Sequence, residues 1–154
     1  MTDLLPLLQE FHREKLALML EHQAAARVAA QYDINNSYQY ILNRDEVHLS
    51  WLAAAIAELG GQPADGGPTE ARRGDQILQE DARAAQTFVD RWRPRVERMT
   101  SDRHKKMLQV ILGDTLEQKR FYEQALAGRT DLLGRRADVL GPSYGEVLPT
   151  RWIE

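Results

Sequence analysis

Asp45 and His48 stand three residues apart within Ile41-Leu42-Asn43-Arg44-Asp45-Glu46-Val47-His48-Leu49-Ser50-Trp51-Leu52. Read as helix, Ile34, Tyr38, Ile41, Asp45, His48, Leu52, Ala55 and Leu59 recur in steps of three and four, so they share one face. That face is apolar except at its centre, where a carboxylate and an imidazole lie one turn apart. A buried carboxylate without a partner is strongly destabilising, so a cation, a proton or a metal has to meet it. An acid three residues before a histidine, both directed into a helical bundle, is half of a carboxylate-bridged metal site. Upstream, Glu14 and Glu21 interrupt a second apolar row, Leu4, Leu7, Phe11, Leu18, Ala25, Val28 and Tyr32. Other catalytic patterns are missing. The glycines at 60–67 do not join a strand to a helix, no serine elbow is present, and there is no cysteine.

The elements that must position these groups read as four helices. The first spans about residues 3–30, with Thr2 as its cap and Pro6 early enough to be tolerated. Tyr32-Asp33-Ile34-Asn35-Asn36-Ser37 is rich in turn and cap residues and predicts a short antiparallel connection. The second helix ends at Gly60-Gly61. Residues 60–74, with five glycines and two prolines, form the longest loop. Fully extended it reaches about 50 Å, enough to run the length of a bundle and leave helices two and three parallel. Asp75 can cap helix three, which runs to roughly Met99 and which Pro94 should kink or shorten. Thr100, Ser101 and Asp102 start helix four, which ends before Gly128. Its inward row includes His104, Leu108, Ile111, Thr115, Gln118 and Tyr122. The expected organisation is an all-α bundle over 1–128 and an irregular tail over 129–154, packing on the bundle or on a second subunit.

With 154 residues the chain can bury a real core in one domain. Twenty Lys+Arg against 23 Asp+Glu leave a net charge of −3, so neither nucleic acid nor a membrane surface is the expected partner. No apolar run approaches membrane-spanning length, and residues 1–11, which carry Asp3 and Glu10, do not read as a signal peptide. The lack of cysteine fits a reducing cytoplasm.

Glu21, the Asp45-Glu46-Val47-His48 stretch with Leu49-Ser50-Trp51-Leu52, and the shape of Ile111-Leu112-Gly113-Asp114-Thr115-Leu116-Glu117-Gln118-Lys119-Arg120-Phe121 resemble the ferritin-like superfamily. That superfamily includes rubrerythrin-type and bacterioferritin-type proteins, and the resemblance covers about residues 3–127. The resemblance implies a four-helix bundle with a long crossover, non-haem iron, oxygen or peroxide chemistry, and a homo-oligomer, in the first place a dimer. Its ligand pattern is one Glu from helices one and three and Glu-x-x-His from helices two and four. Here Glu21 and His48 match and Asp45 stands for Glu. In the second half Thr115 and Gln118 face inward where Glu and His are expected, and Asp114, on the flank of Ile111 and Gln118, is the best substitute. The metal ligands expected on this basis are Glu21, Asp45, His48 and Asp114.

A metal-free arrangement is equally open to these residues, with Asp45 and Glu21 sharing His48 as an imidazolium, or neutralised by Arg44 or Lys15 reaching in from the edge. His12, His22 and His104 read as structural. Three functions follow: an iron oxidoreductase, a single-metal binding protein, or a ferritin-like module without metal that serves as a structural or protein-binding domain.

Overall fold

The computed structural model describes residues 3–63, 71–72 and 76–128. Among these residues there are four helices and no strand: α1 (Leu4–Val28), α2 (Tyr32–Glu58), α3 (Ile77–Glu97) and α4 (Asp102–Leu126). The predicted caps Thr2 and Asp75, and the whole tail from 129, lie outside the described residues. Among the described residues no helix is long and apolar enough to cross a membrane.

The elements end where the chain chemistry dictates. Gly60 adopts φ +85°, and its N–H and that of Gly61 bond back to the carbonyls of Ala57 and Ile56, both at 3.0 Å, closing the last turn of α2. Gly61 lies so close to α1 that an added Cβ would stand 2.7 Å from a Leu5 methyl. The turn between the first two helices falls earlier than its polar residues suggest. Tyr32 to Ser37 are already helical, and the connection is 29–31. The Asn35 amide explains the difference. It donates back to the Ala26 carbonyl at 2.9 Å, so a residue that favours turns clamps the connection from inside the next helix. Pro94 is accommodated within α3, which continues through it to Glu97.

α1 packs along α2, and α3 along α4, with further packing between α2 and α4. Side-chain contacts fix how the ends match. Tyr38 of α2 donates to Asp81 of α3, close to the start of each helix. Arg95 near the end of α3 reaches Glu10 near the start of α1, 3.0 Å away. The interior has two apolar regions. One gathers Leu8, Phe11, Leu52, Ile56, Phe88, Val89, Trp92, Leu108 and Ile111. There Phe11 meets the Trp92 ring edge-on at 4.9 Å. The other gathers Ala25, Ala26, Tyr38, Ile41, Ala82, Ala85 and Tyr122. Between them α1, α2 and α4 each contribute charged or polar residues that are buried: Lys15 and His22, Asp45 and His48, Asp114 and Gln118.

Candidate functional site

The polar layer is built around Asp45. Its side chain is 0 % exposed, and so is that of Lys15, whose ammonium donates to Asp45 Oδ1 at 2.6 Å. Gln118 Nε2 donates to the same oxygen at 3.2 Å. His22 Nδ1 lies 2.6 Å from Oδ2, and it must carry the proton of that bond because a carboxylate only accepts. On the far side of the ring, His22 Nε2 meets the Tyr122 hydroxyl at 2.9 Å. Burial alone would raise the Asp45 carboxyl; the Lys15 ammonium and His22 outweigh it and hold the group well below the usual carboxylate range. Asp45 is therefore an anion with a full set of donors. Burial also pushes the phenols of Tyr122 and Tyr38 upward, with the Asp81 carboxylate adding to the effect, so both remain neutral donors.

A second set begins at His48, which is fully buried, with its Nε2 2.6 Å from Asp114 Oδ2. Arg44 donates to that same oxygen at 3.1 Å. Burial pushes the His48 imidazole down to about 4, against the pull of the Asp114 hydrogen bond and with the Lys15 ammonium adding to the depression. At neutral pH the ring is uncharged, so Nε2 is the donor and the contact with Asp114 is a hydrogen bond rather than an ion pair. Its Nδ1 is buried with no hydrogen-bond partner among the described residues. A third set closes one end of the bundle. Asp81 accepts from Tyr38 and from Arg72 at 2.7 Å, and Arg72 also reaches Glu80.

Of the four ligands expected from the sequence, Asp45 and His48 lie on the buried face of α2, and Asp114, only a flank position of α4 by its spacing, is buried as well and in direct contact with His48. Glu21 does not join them. Its side chain is 50 % exposed and pairs with Arg72 at 3.3 Å. The inward row of α1 is Leu8, Phe11, Lys15, Met19, His22 and Ala26, again in steps of three and four. Glu14, Leu18 and Glu21 lie one residue back on each turn, about 100° round the helix, and form the seam toward α3. His22, read as structural, is a member of the network. The spacing Lys15-x₆-His22, matched to the row of α2, was the available signal.

The ligands of a carboxylate-bridged iron site need free lone pairs converging on one point. Here both Asp45 oxygens accept from protein donors and Glu21 is at the surface; His48 Nε2 is engaged by Asp114, which leaves His48 Nδ1 with a free lone pair that no free carboxylate of this set joins. An ammonium group stands against the central carboxylate, where a metal cation would have to be. Among the described residues no three His, Asp or Glu side chains gather as a metal-holding group. As arranged, these residues do not fit iron. Two surface depressions, one at the bundle end beside Leu7 and Arg98 and one between α1 and α3, are lined by no member of the Asp45 or His48 sets.

No family model, no curated protein and no solved structure matches the chain.

Proposed function

We propose that the chain is a ferritin-like four-helix module of the cytoplasm whose central carboxylate is neutralised by its own lysine, and that it works as a structural, protein-binding domain. The observation that carries this reading is the Lys15–Asp45 pair, 2.6 Å apart and 0 % exposed on both sides. An ion pair of that kind, completed by His22 and Gln118, supplies the positive charge that the acid requires. The ferritin-like part of the reading is supported by the matching of helix ends. Tyr38 and Asp81 meet near the starts of α2 and α3, so α2 ends and α3 begins at opposite ends of the bundle, the arrangement that a long crossover would join. The cytoplasmic part is supported by the absence of cysteine from the sequence.

The test is elemental analysis of the full chain, purified without chelator from iron-replete medium and then titrated with ferrous iron. The expected result is far less than one metal per chain, with no saturable uptake. Binding of about two irons per chain, as in a carboxylate-bridged pair, overturns the reading, especially if His48→Ala abolishes it. A single saturable metal lost in Asp45→Asn would instead favour the mononuclear site.

A further inference from the structure

Ser101 stands at the start of α4, a position that serine favours because its hydroxyl oxygen accepts a first-turn backbone N–H. Here it makes no such bond. Its Oγ lies instead 2.6 Å from His104 Nδ1, one turn along the helix. The other two serines among the described residues behave differently: Ser37 and Ser50 each donate to a backbone carbonyl of their own helix. His104 is only 9 % exposed, and its Nε2 is buried with no hydrogen-bond partner among the described residues. Either tautomer strands Nε2. With the ring proton there, Nδ1 is the acceptor of the serine proton.

The first backbone bond of α4 runs from the Lys105 N–H to the Ser101 carbonyl at 2.8 Å. The N–H groups of Asp102, Arg103 and His104 therefore have no acceptor within the helix, and the Ser101 side chain does not cap them. Ser101 also lines an open cavity of ≈ 760 Å³ at this end of the bundle, with Leu4, Leu7 and Met99 among its walls.

We infer that Ser101 and His104 are a nucleophile and its general base, and that the chain hydrolyses short aliphatic esters bound in this cavity. The parts of an acyl-transfer site meet here: a hydroxyl and an imidazole in hydrogen-bond reach, unbonded N–H groups directly after the nucleophile, and apolar walls for an acyl chain. The N–H that follows a nucleophile at a helix start is where an oxyanion is held. In the first step Oγ bonds to the ester carbonyl carbon while its proton passes to Nδ1. The carbonyl π pair moves onto oxygen, returns, and expels the alkoxide, which leaves as the alcohol with the proton from Nδ1. Water then attacks the acyl carbon and gives a proton to Nδ1. The carboxylic acid departs and Oγ recovers that proton. The Lys15–Asp45 centre contributes no residue to this cavity, so the inference stands apart from the function proposed above.

The test is diisopropyl fluorophosphate on the full chain, read by intact mass and peptide mapping. The reagent phosphorylates an activated hydroxyl with loss of fluoride. An adduct on Ser101 is expected. Ser101→Gly, which keeps a residue suited to a helix start, should take none. His104→Gln should react at least roughly a hundredfold more slowly with unchanged far-UV circular dichroism, the loss of a general base. The parent should also hydrolyse p-nitrophenyl butyrate faster than Ser101→Gly does. No adduct, an adduct on other residues only, or equal labelling of His104→Gln and the parent overturns the inference. So does butyrate hydrolysis no faster than that of Ser101→Gly, a comparison that decides even if His104→Gln unfolds.

Discussion

Replacing Lys15 by methionine keeps most of the side-chain volume and removes the ammonium from a site with no solvent access. Asp45 would keep its bonds from His22 and Gln118 but lose its ammonium donor. Removing one partner of a buried ion pair costs about 3–5 kcal/mol, chiefly because the other charge is left uncompensated. The two remaining donors offset part of that loss, so about 3 kcal/mol is expected, a large share of the ~5–15 kcal/mol that holds a domain together. In a chain of this length the same loss lowers Tm by roughly 6–12 °C. Urea unfolding followed by far-UV circular dichroism at pH 7.5 measures it, with the slope checked for two-state behaviour. The double variant Lys15→Met/Asp45→Leu removes both charges, and should be closer to the parent than Lys15→Met alone. A Lys15→Met protein within about 0.5 kcal/mol of the parent would show that the ammonium does not neutralise Asp45, since that lies within the range of neutral surface changes. The central premise would then fail.

Stability should fall with acid in two stages. The folded His48 imidazole titrates near 4 against an ordinary value of 6.5, so the unfolded chain takes up that proton first. Stability is therefore lost as pH drops from about 6.5 toward 4, by at most ~3 kcal/mol for this group. His12, depressed by burial alone, adds in the same direction. Asp45, held far below its ordinary 3.8, contributes fully above that pH and loses its contribution below it. Urea midpoints at pH 7.5, 5 and 3.5 check the sequence; His48→Gln should flatten the first stage, and an unchanged midpoint at pH 5 in the parent would contradict it. Tyr38→Phe leaves Asp81 with Arg72 but one donor short, and should cost about 1–2 kcal/mol by the same unfolding assay. Glu21→Gln, at a half-exposed surface pair, should cost less than about 1 kcal/mol and leave metal content unchanged.

How far the sequence led depends on the helix. In α2 the inward row is as its spacing predicts, from Tyr38 through Ile41, Asp45 and His48 to Leu52 and Ala55, all buried. The pattern was legible because its polar members are flanked by large apolar residues on the same face. In α1 the sequence points to the row beside the buried one. Lysine is a solvent residue almost everywhere, so the spacing puts Glu14 and Glu21 inward and leaves Lys15 at the edge, from which it reaches Asp45 only as one of several open neutralising arrangements. The acid that interrupts α2 and the base that answers it lie 30 residues apart, and no local pattern links them. Asp114 was reached only as a flanking candidate, yet it is buried against His48, because the inward face of α4 is wide enough to take both Asp114 and Thr115. At the first connection, Asn35 and Ser37 suggest a turn by their type; they serve the opening of a helix, Asn35 donating to Ala26 and Ser37 to Asp33. Side-chain amides and hydroxyls support either role.

The charged layer between the two greasy halves also constrains how the rods can be aligned. Sliding α1 past α2 by a single turn, about 5.4 Å, would still bring apolar residues against apolar residues at both ends. It would also take Lys15 and Asp45 one turn out of register and break their 2.6 Å contact. The pair thus acts as a key that admits one axial setting, as a lone polar residue does in a coiled-coil seam. A leucine-filled version of the same bundle would hold together more tightly and have several settings open to it.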